Sequence, residues 1–80
     1  MTFVPRGVIT TKYTEYLFWS VVLGEEAARI SIADEERNEY FAIVAVGSTK
    51  QYRAKREEVL GQLCSAIDLG IAPGEIRIAP

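Results

Sequence analysis

Eighty residues leave room for one small domain. Nine Lys and Arg stand against eleven Asp and Glu, a formal net charge of −2, and 49% of the residues are apolar, which suits a packed globule rather than a disordered chain. Histidine is absent and there is one cysteine, so a Ser–His–Asp or Cys–His nucleophile, a Cys/His zinc site and an intrachain disulfide are all excluded.

With no staple available, oligomerisation or a bound partner is the remaining support for so small a core. Cys64 lies among apolar neighbours in a helical pattern, where a buried, inert thiol is expected. A lone thiol suits a reducing, cytoplasmic setting. Met1 to Gly7 lacks a basic region followed by an apolar run, so no signal peptide is expected. The apolar stretch Tyr16 to Leu23 is far too short to span a membrane.

In chain order, residues 1–12 read as an extended N-terminal arm, with Pro5 and Gly7 opposing regular structure. Residues 13–80 form the α+β domain proper. Tyr13 to Leu23 is crowded with Tyr, Phe, Trp and Val, which favour a strand. Tyr13, Leu17, Val21 and Gly24 also recur at helical spacing behind Thr11 as a cap, so a helix is the alternative. Arg29 to Ala33 alternates: Ile30 and Ile32 face one way, Arg29, Ser31 and Ala33 the other. Asp34 to Asn38 is a charged turn, and Tyr40 to Val46, apolar on both faces, completes a hairpin with a central strand.

Ser48 to Leu69 carries the marks of a helix. Ser48 and Gln51 fit a capping box, Tyr52, Val59, Leu60, Leu63 and Ile67 follow a 3.6-residue stripe, and Gly70 suits a left-handed stop. Ala72-Pro73-Gly74-Glu75 fits a turn, and Glu75 to Ala79 alternates as a last strand. The order is β-β-β-α-β, or α-β-β-α-β if the first element is helical. The expected fold is a small two-layer α+β sandwich: a sheet of three to four strands with one long helix on one face.

The stretch Val46-Gly47-Ser48-Thr49 opens a helix that ends in Ala66-Ile67-Asp68-Leu69. In this it resembles the small βββα antitoxin domains of the HicB type, in which a Gly-polar-Thr turn opens a helix with Glu-Ala and Ala-Ile pairs. The resemblance covers barely a quarter of the sequence and lacks the Glu-Ala pair. It implies a small regulatory protein.

Three surfaces are candidates for function. One helix covers one sheet face, so half of the apolar side chains in Tyr13 to Leu23 must lie on the other. The odd positions Tyr13, Leu17, Trp19, Val21 and Leu23 are the heavier set and are expected beneath the helix. That leaves Tyr16, Phe18 and Val22 on the open face as a protein-binding patch, joined by either Phe41 with Ile43 or Tyr40 with Val44. The patch would take a second copy or a foreign protein, unless Phe3, Val4, Val8 and Ile9 of the arm fold over it. The second surface is the start of the long helix, where Lys50, Arg53 and Arg56 ring a helix N-terminus as a candidate anion site for phosphate or an acidic protein. The third is the acidic turn, where Glu35 and Glu36 offer a negative surface to a basic partner.

No catalytic residue, cofactor or metal ligand is expected. The acidic cluster sits on a polar turn where nothing splits its pKa values, and no GxxxxGK[ST] or GxGxxG motif occurs. The expected function is a small non-enzymatic interaction module acting by surface binding. Inhibitors, antitoxins and adaptors fit that description, among them compact phage anti-defence inhibitors of nucleic-acid-handling complexes. The alternative is a homodimeric regulator that contacts nucleic acid or a phosphate ligand through its basic helix start. Nucleic acid is not favoured by the near-neutral charge, and no membrane contact is expected.

Overall fold

A computed structural model describes residues 6–11 and 14–78. Its centre is the strand with the clearest alternation. That strand, Ala27–Ala33, buries Ala28, Ile30 and Ile32 completely on one face and turns Ala27, Arg29, Ser31 and Ala33 to the other. In chain order the elements are β1 (Gly7–Thr10), β2 (Glu15–Leu23), β3 (Ala27–Ala33), β4 (Glu39–Ala45), α1 (Thr49–Asp68) and β5 (Gly74–Glu75). The five strands form one sheet in sequence order, antiparallel from β1 to β4, with β5 parallel to β4 after the helical crossover. The helix packs on β3 and β4, giving the two-layer α+β sandwich.

Two expectations about the first elements change. Gly7 to Thr10 is a strand of the sheet and not a separate arm, because it pairs along β2 from Gly7↔Phe18 to Thr10↔Glu15. The expectations for Phe3, Val4 and Tyr13 lie outside the described residues. The second segment is a strand, and the helical alternative is set aside. Thr11 serves the β1–β2 hairpin and not a helix cap: its backbone N–H donates to the Thr14 carbonyl at 2.8 Å, and its Oγ1 accepts from the Thr14 N–H at 3.2 Å. Gly7 lets the Phe18 ring lie against the β1 backbone: a Cβ there would come within 2.6 Å of the ring and force it to shift.

The face assignment of β2 is the main correction. Leu17, Val21 and Leu23 are exposed, whereas Tyr16 and Ser20 are buried and Phe18 and Val22 pack against the core. Apolar bulk is a poor guide here because the neighbouring strand sets the facing. Paired residues in an antiparallel sheet share a face, and Phe18, Ser20 and Val22 pair with Ile32, Ile30 and Ala28. The light position, Ser20, lies under Tyr52 of the helix, and their hydroxyls are hydrogen-bonded to each other. The hydroxyl pair thus satisfies a polar group that the covered face would otherwise strand.

The helix forms as its pattern requires. Ser48 caps it, accepting from the Gln51 N–H at 3.1 Å, while Gln51 Oε1 accepts from Gly47 N–H, one residue outside the standard capping box. Its buried stripe is Tyr52, Val59, Leu60, Leu63 and Ala66, with Ile67 half-buried beside it. At the far end Gly70 takes φ 80°, its N–H bonds Ile67 O and the Ile71 N–H bonds Ala66 O, the full Schellman closure. The last strand is shorter than expected, Gly74–Glu75, although Ile76 and Ile78 beyond it still pack against the core; Ala79 lies outside the described residues.

The facing is open to a direct measurement. Ile30→Ala empties a fully buried position and is expected to lower unfolding free energy in urea by about 2–5 kcal/mol. Val21→Ala, on the open face, is expected to change it by about 0.5 kcal/mol or less.

Candidate docking face

The sheet face opposite the helix is built by the residues that alternate with the core set. β2 contributes Leu17, Trp19, Val21 and Leu23; β4 contributes Phe41 and Ile43; β1 contributes Val8. Relative exposures of 61% at Val8, 53% at Leu17, 45% at Val21 and 51% at Ile43 leave large apolar groups in water over a continuous area. Single exposed apolar residues are ordinary, but a contiguous set spread over three strands is not. Among the described residues the fold therefore leaves an open apolar face, as the one-helix argument expects. Its occupants are the odd positions of β2 with Phe41 and Ile43. Tyr16, Phe18 and Val22 belong to the covered side.

Between the β2 and β4 side chains, β3 is low. Ala27, Ser31 and Ala33 are small, and Arg29 is the one long side chain of that row. Arg29 lies flat: its guanidinium stacks over the Phe41 ring at 3.9 Å and donates to Glu39 Oε1 at 2.5 Å. Its stem thus adds to the apolar surface while its charge is neutralised locally. Ser31 sits in the row Trp19–Ser31–Phe41, is fully buried, and its Oγ has no hydrogen-bond partner among the described residues; Arg29 Nε is likewise unpartnered. Sequence reasoning missed Arg29 and Ser31 as parts of this face. The alternation of Ile30 and Ile32, carried across the β2–β3 pairing, is the signal that locates the whole set.

The other candidates are dispersed. Phe18 reaches a groove of about 530 Å³ between β1 and α1, lined also by Ile9, Arg56, Leu60 and Cys64. Cys64 is half-buried, and burial followed by the nearby Asp68 charge pushes its thiol above the ordinary value of 9.0, which keeps it protonated and unreactive. Burial, then the charge of Asp68, likewise raises the Tyr16 phenol. Lys50 and Arg53 are exposed on the first turns of α1, Lys55 pairs with Glu58 at 4.0 Å, and Arg56 lies 5.8 Å from the Tyr52 ring centroid. The helix start shares its end of the sheet with the β2–β3 turn, where the Val46 N–H donates to Glu26 O. Basic residues oppose the macrodipole there, by about 0.3–1 kcal/mol each.

Glu35 and Glu36 project from the β3–β4 turn at the opposite end of the sheet. Asp34 organises that turn. Its carboxylate accepts from the Asn38 N–H and from Asn38 Nδ2, both at 2.9 Å, and Arg37 takes the left-handed conformation, φ 66°. Among the described residues no three acidic or cysteine side chains converge to hold a metal, and no helix is long and apolar enough to cross a membrane. Comparison of the chain with protein-family models, curated proteins and solved structures finds no significant match in any of the three.

The turn has a pH signature. Desolvation raises the Asp34 pKa, but the hydrogen bonds from the Asn38 side chain and from backbone amides outweigh it, so the folded value lies below the ordinary 3.8. A depressed carboxyl stabilises the fold above its unfolded pKa and loses that contribution as pH falls through the folded value. Urea unfolding of the wild type between pH 5 and pH 2 is expected to show this loss below about pH 4. Asp34→Ala should be less stable at pH 5 and show a shallower fall.

Proposed function

We propose that this protein is a non-enzymatic interaction module that binds another protein surface through the open face of its sheet. The observation that carries the reading is the exposed set Leu17 and Val21 on β2 and Ile43 on β4, with half-buried Phe41 beside it. Apolar area of this kind is ordinarily buried in a complex. Regulators of the inhibitor, antitoxin or adaptor type act in this way, by occupying a partner rather than transforming a substrate. A cytoplasmic setting belongs to the same reading, since one protonated, unreactive thiol suits a reducing compartment. A target within a nucleic-acid-handling complex, as for phage-type inhibitors, would engage this face first, with Glu35 and Glu36 adding electrostatic steering.

The regulator that contacts nucleic acid through Lys50, Arg53 and Arg56 is the second reading. In its favour, Lys50 and Arg53 are exposed and form no ion pair among the described residues. Against it stand the acids Glu25 and Glu26 at the same end and the net charge of −2.

Affinity capture from the source cell separates the readings. Leu17→Lys with Val21→Lys is expected to weaken retention of the bound protein at least about thirtyfold, the loss of a central interface contact. Glu35→Lys with Glu36→Lys is expected to cost only a few-fold, mainly in association rate. Retention that is indifferent to Leu17 and Val21 overturns the proposal, and salt-sensitive binding of nucleic acid in its place supports the second reading.

A further inference from the structure

We infer that the open face is occupied by a second copy of this chain, in a two-fold dimer that packs sheet on sheet. The inference rests on the docking reading above and names its occupant.

Size is the first argument. The molecule measures 33 × 23 × 18 Å, and its two longer dimensions bound a rectangle of about 760 Å², an upper limit for the face and of the same order as the roughly 800 Å² per partner of a standard interface. Two such faces meeting about 10 Å apart would make the second half of a sandwich that one helix leaves incomplete.

Charge is the second. In a two-fold contact each group near the axis meets its own copy, so an unpaired charge at the centre of the face repels itself. Arg29 is the only cation on β3, and Glu39 of the same chain neutralises it. The Arg29–Glu39 pair therefore leaves the centre of the face without net charge, so two copies can meet there without self-repulsion.

The ends of the sheet fix the direction of packing. Asp34, Glu35 and Glu36 make one end acidic; the other, where the helix begins, is mixed, with Glu25 and Glu26 beside Lys50 and Arg53. An axis parallel to the strands would set acidic end against acidic end. An axis across the strands, along the row Trp19–Ser31–Phe41, sets each acidic end toward the helix-start end of the other copy and Leu17 opposite Val21 of the other copy.

Trp19 is the only tryptophan of the chain and stands in that central row, so its emission reports the contact. Sedimentation of the full chain is expected to give twice the chain mass, with a red shift of Trp19 emission on dilution in step with dissociation. Leu17→Lys and Val21→Lys each place an unpaired charge in the contact and are expected to weaken dimerisation at least about 100-fold. Both sites are solvent-exposed in the single chain, so circular dichroism should be unchanged. Val21→Thr keeps the branched shape without a charge and should remain dimeric.

A wild type that stays monomeric, with constant Trp19 emission at every concentration, overturns the inference. So does a dimer that survives both lysine substitutions. A monomer that still captures a foreign protein through Leu17 and Val21 overturns the dimer alone and leaves the docking reading standing.

Discussion

One helix faces a five-stranded sheet, and the rest of the molecule follows from that inequality. Side chains in a strand alternate between faces, so every residue committed to the helix side commits its neighbours to the other. Ala28, Ile30 and Ile32 on β3 and Tyr40 and Ala42 on β4 meet the helical stripe of Val59, Leu60 and Leu63 in one core. Among the described residues the opposite face has no second layer. Its apolar character is the complement of a core built from strands that are apolar on both sides.

The ends of the sheet are treated differently from its faces. At one end Asp34 ties the β3–β4 turn through Asn38, and at the other Ser48 and Gln51 satisfy the first amides of the helix. These are polar devices that close local backbone needs, so the charged side chains around them are left to solvent. The helix carries no acid in its first turn and no base in its last. Capping and burial hold it, against an unfavourable charge placement. Function is therefore better sought in the apolar face, where the unburied area is large, than in the charged ends.

Within that face the polar atoms are informative. Ser31 is sealed under its row neighbours, and Arg29 is folded down onto Phe41 and held by Glu39. Ser31 is thereby withdrawn from the surface, whereas the Arg29–Glu39 pair stays partly exposed but locally neutral.

Much of the fold was legible in the residues alone. The capping pair, the 3.6-residue stripe and Gly70 marked α1; the alternation of Ile30 and Ile32 marked β3. Each is a local signal, in which a residue's own dihedral or hydrogen-bond preference points the same way as the fold. The facing of β2 and the strand at Gly7 to Thr10 were not legible. A strand apolar on both faces has no preferred side until a neighbour pairs with it, and a four-residue edge strand owes its form to the ladder along β2. The sequence by itself determined that some apolar sheet would remain uncovered. Only the tertiary structure decided that it is Leu17, Trp19 and Val21 rather than Tyr16, Phe18 and Val22, because the register with Ile30 and Ile32 is a contact between segments and not a property of either one.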